Sequence, residues 1–268
     1  MVNVLKASGE KEPFSEEKIR YSIKRAGIPS NIQNKVVNHV KSKLYENIPT
    51  SQVYEHITEF LKNEPHPTQV KYGLKRAIME LGPTGYPFED LVSEILKTKG
   101  YVTEVGSILT GRCVSHEIDV IAEKPGTEKL MVEVKFHNAP GIHTDVHVSL
   151  YTKARFDDLK EKYKFDRPWL FTNTKITPDA LAYALCVNMG VVGWNYPQNE
   201  GLRDLIEHAN LYPVTILASL SQSQKQILLD NHVVTVRKIM QNVDCLSILR
   251  IQIEKKDEIV QEAKSISA

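Results

Sequence analysis

His116-Glu117-Ile118-Asp119-Val120-Ile121-Ala122 and Leu130-Met131-Val132-Glu133-Val134-Lys135-Phe136 decide how this chain reads, with Pro125-Gly126 between them. Both runs are rich in β-branched and apolar residues and the intervening dipeptide is a turn signal, so the pattern predicts a hairpin. Side chains alternate along a strand, which puts Glu133 and Lys135 on one face and Val134 on the other. If the hairpin pairs as its turn suggests, Asp119 sits beside them. Two carboxylates and an ammonium then meet on otherwise apolar strands. Carboxylate oxygens suit a hard cation such as Mg²⁺, which polarises a phosphoryl oxygen and acidifies a bound water, while a lysine orients the nucleophile or offsets transition-state charge. Burying two acids together without a cation is costly, which itself argues for one.

On either side of the hairpin the elements alternate in kind. Phe88, Leu91, Val92, Ile95 and Leu96 give a helical face over Phe88–Leu96 that ends at Gly100, and Tyr101–Val105 is strand-like. Thr177 then caps a helix with Pro178 in its first turn and Ala180, Leu181, Ala184 and Leu185 apolar, and Val191–Trp194 is a last strand. The fold class expected is α/β, a sandwich of helices on a mixed central sheet.

Phe88-Glu89, Gly100-Tyr101-Val102, Ile118-Asp119-Val120-Ile121 and Val132-Glu133-Val134-Lys135 come in an order that resembles the PD-(D/E)xK nucleases, and among them the Mrr-like restriction endonucleases. The resemblance implies a DNA endonuclease using Mg²⁺ or Mn²⁺, with Asp119 and Glu133 as metal ligands, Lys135 as the catalytic lysine and Glu89 as a further acid. Glu117 departs from it, standing where a small residue is usual. An ExK triplet alone is weak, since charged strand edges produce it often. His137 is expected to line the cleft and touch phosphate. Tyr151, Lys153 and Arg155, on a helix over Tyr151–Lys164, are expected to contact the DNA backbone, against the plainer reading of a solvated helix face. His143, Asp145 and His147 alternate so that one strand face could hold zinc, although Pro140-Gly141 points instead to a loop.

Residues 1–85 read as a small, mainly helical domain. A strand at Val2–Lys6 meets a Ser8-Gly9 turn. Four helices follow: one capped by Ser15, with Phe14 stapled onto Ile19 and Ile23 and Ala26 apolar; one opened by a Ser30/Gln33 capping box; one capped by Thr50; and one starting near Thr68. The run from Val4 through Lys6, Gly9, Glu12 and Phe14 to Lys18-Ile19, with Ile48-Pro49-Thr50 later, resembles the ATP-cone, the nucleotide-sensing module of ribonucleotide reductases and some of their regulators. The resemblance implies ATP or dATP as an effector. Lys6 would meet a phosphate, Glu12 and Thr50 would lie near the base, Lys18 would close the pocket, and Lys71 or Lys75 would reach the phosphates. Ala7 stands where that family has an arginine.

The turn-rich Gly82-Pro83-Thr84-Gly85-Tyr86-Pro87 divides this domain from the endonuclease-like one, 86–198, and a helical region occupies 199–268. There Ser221 and Gln224 form another capping box, and Val233–Met240 and Glu254–Ala263 look helical. The spacing is faintly similar to helix-hairpin-helix modules, but Asp230-Asn231-His232 lacks the glycine turn, and packing or homo-oligomerisation is as good a role. Thirty-four basic against thirty-three acidic residues leave a charge of +1, so DNA binding would rely on local patches. Cys113, Cys186 and Cys245 are too scattered for a disulfide framework or zinc ribbon, and the charged start and the lack of a ~20-residue apolar run point to a cytoplasmic protein with no membrane partner. The function expected is a metal-dependent endonuclease regulated by adenine nucleotide. The alternative is a catalytically inert nucleotide-sensing and DNA-binding module.

Overall fold

A computed structural model describes residues 2–6, 9–25, 28–61, 66–139 and 141–267; the side chains of residues 25 and 66–71 fall outside that description. The chain divides into two compact units, the first running to Arg76 and the second covering Ala77–Ser267.

In the first unit, β1 (Asn3–Leu5) lies between β2 (Lys11–Pro13), antiparallel to it, and β3 (Ile48–Pro49), parallel to it. Four helices accompany this small sheet: α1 (Glu16–Arg25), α2 (Ser30–Ser42), α3 (Thr50–Leu61) and α4 (His66–Met79). Their apolar stripes converge on a core that includes Ile19, Ile23, Val36, Val40, Ile57 and Leu61, with Phe14 packed at its edge. Ser15 caps α1 by accepting from the Lys18 amide at 3.3 Å. The Ser30/Gln33 capping box does not form. Pro29 is the N-cap of α2, without a side-chain cap, and Gln33 Nε2 instead donates to the Ile28 carbonyl at 2.8 Å. β2 and β3 escape a sequence reading because Lys-Glu-Pro and Ile-Pro are too short and too polar to alternate. Expectations resting on Ala7, Ser8 and Ala26 lie outside the described residues.

The second unit opens with α5 (Tyr86–Thr98) and the meander β4 (Val102–Thr110), β5 (Ser115–Lys124) and β6 (Glu128–Lys135). A short β7 (His143–Thr144) leads into α6 (Val146–Tyr163) and then β8 (Arg167–Thr172). β9 (Lys175–Ile176) pairs with β7, α7 (Pro178–Cys186) follows, and β10 (Gly190–Val192) closes the main sheet. The sheet order is β10-β8-β6-β5-β4, parallel from β10 to β6 and antiparallel from β6 to β4. This is the expected mixed-sheet α/β sandwich. Thr177 caps α7 through the Ala180 amide, while Leu185, expected on the buried face, is 62% exposed.

Four more helices complete the unit: α8 (Leu202–Ala209), α9 (Gln222–Asp230), α10 (Val236–Gln241) and α11 (Ile253–Ser267). Both halves of the Ser221/Gln224 capping box form. In α8, Leu202, Leu205 and Ile206 form a buried stripe. This helical region packs on the sandwich. Thr215 Oγ1 donates to the Ala77 carbonyl at 2.6 Å, and His232 Nδ1 lies 2.8 Å from Asp90 Oδ2 on α5. No described helix is long and apolar enough to cross a membrane.

Candidate active site

The ladder around β5 opens at a single residue. β5 pairs with β4 through Val105↔Val120 and Ser107↔Ile118 but not at Asp119, where Gly106 stands opposite with φ +69°. Its pairing with β6 stops at Val120↔Val132. Asp119 is the next step in that register, opposite Glu133, and its Oδ2 accepts the Val134 amide at 2.6 Å. The acid thus takes over from the strand as partner of that peptide nitrogen. α6 lies against β6 and β8 and brings Arg155 onto Glu133, to whose carboxylate Nη1 donates. Both side chains are buried, 7% exposed for Arg155 and 13% for Glu133. Lys135 is exposed on the same strand, and Glu89, on α5, is buried.

Burial first, then the negative charge of Asp119, pushes the Glu133 carboxyl up to about 7, against the pull of Arg155 and Lys135. Burial likewise lifts Glu89 to about 7, reinforced by Asp119, Glu117, Asp90 and Glu133. Asp119 is raised by burial and by Glu117, while the Val134 amide, Arg155 and Lys135 oppose the rise. The structure therefore brings Asp119, Glu133, Lys135 and Glu89 into one electrostatic neighbourhood of crowded, desolvated acids. Among the described residues no three His, Cys, Asp or Glu side chains converge closely enough to hold a metal ion. Two adjacent carboxylates fit an ion that takes few protein oxygens and completes its shell with water and phosphate, as Mg²⁺ does, and do not fit a zinc site.

The remaining candidates are placed differently. His137 is tied inward: its Nε2 lies 3.0 Å from Thr144 Oγ1, its amide donates to Asn173 Oδ1 and its carbonyl accepts from Asn173 Nδ2. Thr144, fully buried, is also 2.8 Å from Thr172 Oγ1 and 3.3 Å from Thr174 Oγ1. The zinc alternative does not form, because His143 lies in β7 whereas Asp145 is the N-cap of α6, accepting the His147 amide at 3.1 Å. Arg155 corrects a second expectation, being buried against an acid rather than lying on the surface for phosphate. The burial was hidden because the inward face of α6 is Ser149, Thr152, Arg155, Phe156 and Leu159, which is half polar. Lys153 is engaged by Asp157, and Tyr151 is 57% exposed with the Arg155 guanidinium 5.1 Å from its ring centroid. Asp158, on the same helix, has a structural task. It pins the β4–β5 turn through the Cys113 and Val114 amides and His116 Nε2, and the His116 contact above all holds its carboxyl well below the usual range.

In the first unit a pocket of about 290 Å³ is lined by Glu12, Ser15, Lys18, Thr50, Tyr54 and Tyr72, among others. Glu12 Oε2 is shared by Lys6 Nζ at 2.9 Å and Lys18 Nζ at 2.8 Å, and these contacts, Lys18 first, lower its pKa. Glu12, Lys18 and Thr50 are thus brought to one pocket, and Lys6, which is not in the lining, reaches it only through Glu12. Lys75 is half-buried and not in the lining, and the Lys71 side chain lies outside the described residues. Sequence reading missed Tyr54 and Tyr72, whose rings stack with centroids 4.9 Å apart.

Comparison with known proteins matches three segments of the chain. A model of the ATP cone domain matches residues 2–75, one of restriction endonuclease domains matches 82–196, and one described as AF1548-like, C-terminal, matches 212–267. An uncharacterized protein of Archaeoglobus fulgidus is 37% identical over 175 residues, which span 65% of this chain and 99% of that protein. The crystal structure of AF1548, a protein of unknown function, matches with a TM-score of 0.60 at 36% identity, covering 69% of this chain and 98% of that one. A repair endonuclease from Pyrococcus abyssi overlaps loosely, with a TM-score of 0.33 at 18% identity over 41% of this chain and 46% of that one. The chain belongs to the AF1548-like family, and carries an ATP-cone domain and a restriction endonuclease domain ahead of the AF1548-like C-terminal domain.

Proposed function

We propose that this protein is a divalent-metal-dependent endonuclease that hydrolyses DNA phosphodiester bonds at Asp119, Glu133 and Lys135, and that ATP or dATP in the N-terminal pocket tunes it. The reading rests on one observation: Asp119 continues the β5–β6 register opposite Glu133, with Lys135 on the same strand face. Asp119 and Glu133 would hold Mg²⁺ or Mn²⁺, which when bound polarises the scissile phosphate and makes water a better nucleophile. Lys135, as an exposed ammonium beside both acids, orients that water and offsets charge on the phosphoryl oxygens. Glu89 can hold or release a proton near neutrality, which suits relay to or from the water. Lys18 in the N-terminal pocket, and Lys6 beside it, trade Glu12 for phosphate oxygens, and the Tyr54–Tyr72 wall offers an apolar bed for a base. Domain limits of 1–85, 86–198 and 199–268 and a reducing, cytoplasmic setting belong to the same proposal.

The alternative, an inert module that senses nucleotide and binds DNA, draws on Arg155 already neutralising Glu133. One assay separates the two. Plasmid and linear DNA are incubated with Mg²⁺ or Mn²⁺, with and without ATP and dATP, using wild type, Asp119→Asn and Lys135→Ala. Metal-dependent cleavage by wild type alone supports the enzyme, no cleavage by any of the three supports the inert module, and equal cleavage by all three moves the chemistry elsewhere.

A further inference from the structure

Arg155 carries a buried cation on a side chain that is only partly satisfied. Nη1 donates to Glu133, but the Nε–H is buried without an acceptor. A guanidinium pairs best as a fork, Nε and one Nη together on a carboxylate or a phosphate, and here one arm of the fork is unused. Such a donor is expensive to leave unmade in a protein interior. The same guanidinium acts electrostatically on both Asp119 and Glu133. A divalent ion on these two acids would add two positive charges beside a buried one, where screening is weak, so the ion and the guanidinium compete for one carboxylate. The side chain has somewhere to go, because the exposed Tyr151 ring already lies 5.1 Å from the guanidinium and offers a cation–π surface leading outward.

We propose that Arg155 is a resident counter-cation of Glu133 which a divalent ion displaces, and that the freed guanidinium moves along Tyr151 to present its complete fork to a phosphate oxygen of the substrate. Arg155 is in this sense a positioning residue, holding Glu133 until metal arrives. The inference rests on the metal-dependent reading above and adds an order of events to it.

The test uses the full chain and Ca²⁺ as probe. Binding is measured by calorimetry for wild type, Arg155→Met and Arg155→Lys, and ¹⁵N-arginine NMR follows the Arg155 Nε–H, assigned by its disappearance in Arg155→Lys. Displacement predicts that Arg155→Met binds Ca²⁺ about tenfold more tightly than wild type, since the competitor is gone, while Arg155→Lys stays near wild type. It also predicts that saturating Ca²⁺ shifts the wild-type Nε–H signal and speeds its exchange with water. Ca²⁺ binding with an unmoved signal and equal affinities overturns the displacement and leaves the metal site standing. No Ca²⁺ binding by any variant overturns both. Should Arg155→Met not fold, the wild-type signal decides alone.

Discussion

The two units use the same ingredients, carboxylate and cation, in opposite settings. In the first, Glu12 is shared by two lysines at the mouth of a pocket, where water screens every contact and the partners can be exchanged for a ligand's phosphates at little cost. In the second, Glu133 and Arg155 are buried next to Asp119, where each charge needs a definite partner and removing one strands another. Exposed charge suits a sensor that binds and releases. Buried, crowded charge suits a site that must be fixed before it reacts.

Substitutions can break this contrast. The largest effect is expected for Asp119→Asn or Lys135→Ala, each lowering the rate of metal-dependent DNA cleavage about a thousandfold with the fold retained by circular dichroism; a loss under tenfold would mean that the charges there are not catalytic. Next, Thr144→Val removes the hydroxyl that joins His137, Thr172 and Thr174, and should cost about 1–3 kcal/mol in urea unfolding. A smaller effect separates the settings by pH. Glu89 has its folded pKa raised from 4.5 to about 7, so the folded chain holds that proton more tightly than the unfolded one. The stability this contributes is complete below about pH 4.5 and is lost as pH climbs through 7. Glu89→Gln should remove roughly 1–2 kcal/mol of that decline between pH 5 and 8, part of the slope persisting through Glu133; an unchanged slope would place the titration elsewhere. The smallest is Lys18→Ala, expected to weaken ATP or dATP binding severalfold by calorimetry while leaving Tm unmoved, because the lysine lies in solvent. A marked fall in Tm would mean that the lysine–glutamate cluster is structural after all.

What could be read in advance divides along physical lines. The sandwich was legible because its strands are apolar and its turns carry Pro-Gly or Gly; alternation put Glu133 and Lys135 on one face, while the place of Asp119 hung on a register that the turn only suggested. The fate of Arg155 was not legible, since the buried stripe of α6 mixes Ser, Thr and Arg with Phe and Leu and defeats a hydrophobic reading. Tertiary partners also decided His137 and Asp158. Nothing in the local sequence announces that Asn173 and Thr144 will hold one, or that the other will tie down a hairpin more than forty residues earlier. Tyr54 and Tyr72 were missed for the same reason, their stacking being a meeting of two helices.

The bond from the Val134 peptide nitrogen to Asp119 carries a consequence for descent. Because the side chain at 119 replaces a missing rung of the sheet, a lineage that abandoned the reaction could not discard it freely. An apolar residue there would leave a peptide donor with no acceptor. Asparagine would keep the rung while surrendering the charge, and so marks the route by which a relative of this protein would fall silent and still fold.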